Sequence, residues 1–320
     1  MIILGAGMAG LLAGCMIRDE KVSIWEAAPN LPNNHSAVLR FRSSIVGDAI
    51  DIEFKKVKMM KCMHPWRNAV ADNLAYSLKT NGTATLRSSI SADASITERY
   101  IAPANMIELM ANRNKGDIYF QHEAIPQTIS GMNRPIISTI PMPFMMKLLN
   151  YKNVPEFNYV NGYNINFEVE NVDAYVSVYI PDPSVQTNRI SITGNRVTIE
   201  RSCPDIDAAQ LTKEVELLNK YEKELRIQAL GDMSFLGLEK SNAVPAISKL
   251  SASMQRYSKI LPINENERKR FILWASEKHG VYSLGRFATW RPNLLLDDVV
   301  NDVRVIRRII KNGSYDYRIK

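Results

Sequence analysis

The first fourteen residues, Met1-Ile-Ile-Leu-Gly-Ala-Gly-Met-Ala-Gly-Leu-Leu-Ala-Gly14, leave a chain few ways to fold. An apolar run of strand length meets Gly5, Gly7 and Gly10 in the spacing G-x-G-x-x-G, and small apolar residues continue beyond it. Strand, glycine turn and helix start, in that order, are what a βαβ dinucleotide site requires. Gly5 permits the tight turn, Gly7 lets the backbone approach a pyrophosphate, and Gly10 lets helix and strand pack closely. The helix N-terminus then offers free N–H groups to an anion. Lys21-Val-Ser-Ile-Trp25 reads as the second strand, closed by Glu26 where an acid accepts from a ribose hydroxyl. An acid there, rather than Arg or Ser, favours a ribose without a 2′-phosphate, hence FAD or NAD over NADP.

After Glu26 a turn-rich stretch, Ala-Ala-Pro-Asn-Leu-Pro-Asn-Asn, ends the first unit, and Val38-Leu-Arg-Phe-Arg42 alternates like a strand with Arg40 and Arg42 on one face. An amphipathic helix is expected over 68–78, a polar loop over 92–99 and a helix opened by Pro103 over 102–111. Strands are expected over 117–123 and 134–141, with a short helix from Met142 to Leu149. A strand returning to the core at Ile136 implies that the nucleotide-binding unit is discontinuous.

From Tyr159 to Arg201 the pattern changes to successive β segments, with Gly194-Asn195 as a hairpin turn. That region reads as an antiparallel sheet. A long charged helix follows over 205–227, capped by Asp205 or Asp207, then a less regular region through Pro245 and a helix over 264–278. Gly280-Val-Tyr-Ser-Leu-Gly285 returns as a strand. The last helix opens at Asp297-Asp298, with Val299, Val303, Ile306 and Ile310 as its inward stripe.

Charge bounds the partners. The 320 residues carry a formal charge of +7, with basic residues scattered along the chain. This favours anionic partners such as nucleotides, phosphorylated small-molecule substrates or nucleic acid, beside the plainer reading of a basic solvated surface. No nucleic-acid-binding motif accompanies the charge, so nucleic acid is the lesser expectation. No apolar stretch reaches membrane-spanning length, and no leader is expected before the opening strand, which points to a cytoplasmic protein. Cys15, Cys62 and Cys203 match no metal spacing and read as reduced structural thiols. His64 and His122 lack partners at ligand spacing and read as packing or surface residues.

A second signature stands at Gly285-Arg-Phe-Ala-Thr-Trp-Arg-Pro-Asn-Leu-Leu-Leu-Asp-Asp298, where a strand ends in Gly and a loop leads to a helix opened by acids. With the N-terminal fingerprint and Ile136-Ile-Ser-Thr-Ile-Pro-Met-Pro143, it resembles the superfamily of flavin-containing amine oxidases and UDP-galactopyranose mutases. Gly285-Arg286-Phe287 is similar to the mutases in particular, whereas His35-Ser36 replaces the Gly-Gly pair that the family often has after its acid. The resemblance covers about a third of the chain.

It implies an α/β fold: a discontinuous Rossmann-like FAD-binding domain over 1–60, 100–150 and 265–320, with an inserted antiparallel-sheet substrate domain over 61–99 and 151–264. It implies non-covalent FAD bound by Gly5, Gly7, Met8, Ala9, Gly10, Glu26, Ala27, His35, Ser36, Arg40, Ala124, Gly285, Arg286 and Leu296. His35, Arg40, Arg286 and Trp290 are the candidates for catalysis through nearness to the flavin, with no metal. The activity implied is that of an oxidoreductase whose flavin N5 accepts hydride. Redox-neutral mutase chemistry, a non-catalytic FAD protein and a flavoenzyme that modifies nucleic acid stay open as alternatives.

Overall fold

The computed structural model describes residues 1–18, 20–31, 39–81, 94–130, 134–236 and 246–312. In chain order its strands are β1 (Ile2–Leu4), β2 (Ser23–Trp25), β3 (Arg40–Phe41), β4 (Lys55–Met63), β5 (Ser95–Ile101), β6 (Ile118–Tyr119) and β7 (Ile136–Ser138). Then come β8 (Tyr159–Val169), β9 (Ala174–Tyr179), β10 (Thr187–Gly194), β11 (Arg196–Cys203), β12 (Ile247–Ile260) and β13 (Val281–Ser283). The helices are α1 (Met8–Met16), α2 (Ile45–Ile50), α3 (Ala69–Asn81), α4 (Met106–Arg113), α5 (Pro126–Ser130), α6 (Met142–Leu148), α7 (Ala208–Lys220), α8 (Glu222–Met233), α9 (Glu265–His279) and α10 (Leu296–Asn312).

The strands make two sheets. The first runs β13-β7-β1-β2-β6 and is parallel throughout, with Ile2 opposite both Ser23 and Ile136. β1, β7 and β13 are buried along their whole length, because helices cover both faces. α1, α2, α4 and α10 pack on one side around Leu11, Met106, Val300 and Val303; α6 and α9 pack on the other around Met145, Phe271 and Trp290. The inward stripe of α10 includes Val299, Val303 and Ile306, as its spacing predicts, with Val300 and Ile309 beside them.

The second sheet runs β12-β8-β11-β10-β9-β4-β5-β3. It is antiparallel except where β4 runs parallel to β9. Alternate residues of its central strands, Ile165, Phe167, Ile190, Val197 and Ile199, form a core with Leu211 and Val215 of α7 and Leu225 and Ala229 of α8. Asp207 caps α7, accepting from the N–H groups of Ala209 and Gln210.

Three expectations change. The polar loop over 92–99 is largely strand β5, held by pairing with β4 rather than by its own apolar content. The single long helix breaks at Tyr221 into α7 and α8. β12 crosses a stretch left without an element, because its alternation is broken by two register shifts against β8. In addition, β3 and β4, which begin within residues 1–60, pair into the second sheet.

Candidate functional site

The glycine turn is built as its spacing requires. Gly5 sits at φ +97°, and its N–H donates to Trp25 O. A Cβ on Gly10 would stand 1.9 Å from Gly5 O, so the first turn of α1 lies directly on the loop that precedes it. A Cβ on Gly7 would meet nothing within 4 Å. The space over Gly7 is open, in front of the first N–H groups of α1, whose first turn carries no acid. The first intrahelical bond runs from Leu11 N–H to Gly7 O, which leaves the N–H groups of the preceding turn directed outward.

Glu26 stands at the end of β2, its carboxylate fixed by the N–H groups of Ala6 and Ala28 at 2.8 and 2.9 Å. Each oxygen keeps lone pairs for a further donor, as a ribose hydroxyl would be. An acid, open space at Gly7 and outward N–H groups together fit the adenosine-diphosphate half of FAD. Ala27 is exposed beside Glu26, while Ala124 is buried among the residues of α6 and α9.

The C-terminal signature packs against this turn. Gly285 sits at φ +89°, where a Cβ would lie 3.0 Å from Ala9 Cβ. Arg286 folds back, its Nε and Nη2 both 3.2 Å from Leu294 O. Leu296 opens α10, and Asp297 and Asp298 occupy its first turn, Asp297 accepting from Ser43 and Asp298 from the N–H of Leu295. Trp290 is only 1% exposed, and its indole N–H donates to Leu261 O at 2.8 Å. It is a core residue among Phe157 and Tyr257. His35 and Ser36 lie outside the described residues.

The inner face of the second sheet, opposite α7 and α8, is polar and enclosed. Register sets Glu200 opposite Arg189, Arg189 opposite Tyr179, Ser191 opposite Ser177 and Thr198, and Asn164 opposite Glu200. Asn164, Ser177 and Ser191 are each at most 3% exposed. Arg189 and Glu200 are joined by an ion pair, yet their side chains remain 27% and 15% accessible. Arg40 reaches this face from β3, donating to Ser177 Oγ at 3.1 Å and Val176 O at 3.2 Å. Tyr76 of α3 stands edge-on to Tyr179, 5.4 Å between centroids.

The charges act on one another. Burial works against the Glu200 carboxylate, but Arg189, Lys259 and Arg40 outweigh it and hold its pKa low. Burial also opposes the Arg189 charge, which Glu200, Tyr179 and Tyr76 restore and raise above the ordinary value. Burial pushes Arg40 down to about 10, with Arg189 adding to the effect. Lys259 is lowered by burial and by Arg189 and Arg286, against the pull of Glu200. Arg286 is lowered by burial and by Arg189, again against Glu200. Burial raises the phenol of Tyr76 and keeps it protonated.

Arg40, Arg189, Lys259 and Arg286 therefore share one acid, Glu200. Among the described residues, Arg40, Lys259 and Arg286 form no ion pair. A contact pair in protein surroundings gains roughly 4 kcal/mol, while desolvation takes several kcal/mol from each ion. The Arg189–Glu200 pair thus holds the one acid of the cluster, and Arg40, Lys259 and Arg286 stand near it without an ion pair of their own among the described residues.

Of the residues picked out by sequence, Gly5, Gly7, Met8, Ala9, Gly10 and Gly285 come together at the turn, with Glu26 beside it, while Arg286 turns to Leu294 O and the charges of Glu200 and Arg189. Arg40 belongs to the cationic face. Arg42 is exposed beyond the end of β3. Tyr76, Tyr179, Arg189, Glu200 and Lys259 were not among the predicted residues. The Gly194-Asn195 hairpin would have paired Arg189 with Glu200, but only the tertiary structure encloses them. Among the described residues no group of His, Cys, Asp and Glu could hold a metal, and no helix is long and apolar enough to cross a membrane.

No protein-family model and no curated protein matches the chain. Among solved structures it is similar to reduced UDP-galactopyranose mutase, with a TM-score of 0.68 at 12% identity over 98% of this chain and 96% of that one. An oxidoreductase from Methanosarcina mazei gives 0.56 at 10% identity, covering 96% and 99%. Aklavinone-11 hydroxylase, in a ternary complex with FAD and aklavinone, gives 0.52 at 10% identity, covering 98% and 61%. At these identities the likeness is one of fold, and it bears out the α/β architecture of a parallel sheet joined to a second sheet.

Proposed function

We propose that this protein is an FAD-dependent oxidoreductase acting on an anionic substrate. The observation that carries this reading is the shared, largely uncompensated charge of Arg40, Arg189, Lys259 and Arg286, with Arg286 following the glycine that packs on the nucleotide turn. The outward N–H groups of α1 and Gly7 would hold the pyrophosphate, and Glu26 the ribose. FAD held there supplies two-electron redox chemistry. The solved relative with FAD in its complex supports that cofactor over NAD.

The remaining roles belong to side chains. Arg189, oriented by Glu200, and Arg40, oriented by Ser177, would clamp the substrate's anionic group and fix its position. Tyr76 remains a hydrogen-bond donor at its phenol oxygen because burial keeps it protonated. Lys259 Nζ, whose pKa burial lowers, is the candidate base.

A yellow protein that releases FAD on denaturation, identified by mass, is the expected result; a colourless protein that takes up no flavin overturns the reading. Glu26→Ala should weaken FAD binding by about 1–3 kcal/mol, the range for leaving buried polar groups unpaired, and leave FMN binding unchanged. The full-length likeness to UDP-galactopyranose mutase favours a second reading, redox-neutral chemistry on the reduced flavin. Anaerobic bleaching by substrate supports the oxidoreductase, whereas turnover only after dithionite reduction supports the mutase type.

A further inference from the structure

The cationic face does not stop at the enclosed cluster. Strand pairing carries the same face outward from Arg189 and Tyr179 to Ser177, then to Lys61 of β4 and, through β5, to Arg99, Ile101 and Lys55. Tyr179 joins the two parts, with Arg189 Cζ 5.8 Å and Lys61 Nζ 5.7 Å from its ring centroid. Four residues back on the same face of β9, the Tyr175 hydroxyl accepts from Lys55 Nζ at 3.0 Å, and that ammonium lies 5.3 Å from the ring centroid. Arg99 is near enough to Arg40 for the two charges to repel. Lys55 is exposed and Lys61, Arg99 and Tyr175 half-buried, so the outer part is open where the inner part is enclosed. Glu98 of β5 points to the opposite face and pairs with Lys56, while Asp173, two residues before Tyr175, acts on the Lys55 ammonium at the outer end of the track.

Two tyrosine rings interleaved with cations, on a line from the surface to an enclosed site, are not the fittings for a single carboxylate or phosphate. One compact anion would be satisfied by Arg189 and its neighbours and would leave Lys61, Arg99 and Lys55 unused. A chain of spaced phosphates with flat rings between them matches both components. Cations follow such a backbone, and aromatic side chains stack on bases without regard to sequence. We propose that Lys55, Lys61, Arg99, Tyr175 and Tyr179 form an outer subsite for a single nucleic-acid strand, one residue of which reaches the enclosed cluster as substrate. This rests on the proposed anionic-substrate site and names its substrate class. Acting on a base from within a strand requires taking that base out of its stack, for which an enclosed pocket behind a cationic track is suited.

The test uses the cofactor-loaded protein and three probes: a fluorescent deoxyoligonucleotide of about eight residues, a length within the usual single-strand site sizes, a nucleoside 3′,5′-bisphosphate, and inorganic pyrophosphate. The oligonucleotide is expected to bind more tightly than the bisphosphate. In the triple variant Lys55→Gln, Lys61→Gln, Arg99→Gln its affinity should fall by about tenfold or more, with the slope of log K against log salt shallower by about 2. Pyrophosphate should compete at the inner cluster equally in both proteins. Unchanged oligonucleotide binding in the triple variant overturns the proposal, as does a bisphosphate that binds as tightly as the strand. Pyrophosphate binding without oligonucleotide binding overturns the outer subsite alone and leaves the anionic site standing. If Lys259→Met leaves pyrophosphate binding unchanged, the inner site fails, and the outer one falls with it.

Discussion

The two sheets solve the burial of a β-surface in opposite ways. The parallel sheet hides apolar strands between two layers of helices, and its specificity lies in glycines where backbone meets backbone. The second sheet hides only one face in an apolar core; the other is enclosed while still carrying Arg189, Glu200, Asn164, Ser177 and Ser191. The first arrangement leaves few charged groups buried. The second keeps several cations away from bulk water around a single acid, at a cost in stability. The proposed function divides between them: the glycine turn of the first would hold the nucleotide, and the charged face of the second the substrate.

The sharpest way to break this contrast is at Glu200. Glu200→Gln removes the acid that Arg40, Arg189, Lys259 and Arg286 share and should destabilise the fold by about 3 kcal/mol. That is the low end of the range for breaking a buried pair, because Arg189 keeps 27% of its side chain accessible. Replacing both partners, Arg189→Met with Glu200→Leu, should restore most of the stability while weakening anion binding through the loss of Arg189. A denaturant midpoint that does not move in Glu200→Gln would mean that the second sheet is as indifferent to charge as a solvated one.

In the parallel sheet the corresponding test is steric. Gly10→Ala forces a methyl group against Gly5 O and should cost about 1–3 kcal/mol, read by thermal melting. Gly7→Ala, whose methyl group meets nothing, should melt like the parent and still lose FAD affinity. If the two substitutions have equal effects on stability, the turn is not packed as described.

A smaller effect is expected at Lys79, whose ammonium donates to the carbonyls of Ile180, Asp182 and Thr187 and fixes α3 to the β9–β10 connection. Burial lowers its pKa to about 8, with Asp182 and Asp232 opposing. Because the folded value lies below the ordinary 10.5, the unfolded chain binds more protons between these values, and stability should rise with pH across that window. Lys79→Met should remove that slope and cost about 1 kcal/mol, since the unpaired carbonyls outweigh the relief of burying a charge. Smallest of all, affinity for inorganic phosphate should begin to fall at a lower pH than a surface lysine would give, because Lys259 loses its proton early. In Lys259→Met that part of the pH profile should be absent.

The residues of the glycine turn could be read from the chain alone, because each acts within its own neighbourhood. Gly5, Gly7, Gly10 and Glu26 are fixed by the geometry of one strand, one turn and one helix, and the structure finds them as their spacing requires. The same holds for the Gly194-Asn195 hairpin and the inward stripe of α10. What the sequence could not determine is which face of the second sheet meets water. Alternation along β10 and β11 declares one apolar and one polar face, and a polar face by default is solvated. Here α3 crosses it with Tyr76, β12 brings Lys259 and the C-terminal loop brings Arg286, from positions far apart in the chain. Enclosure is a property of that assembly and not of any segment, so the charged site exists only once the two sheets have packed.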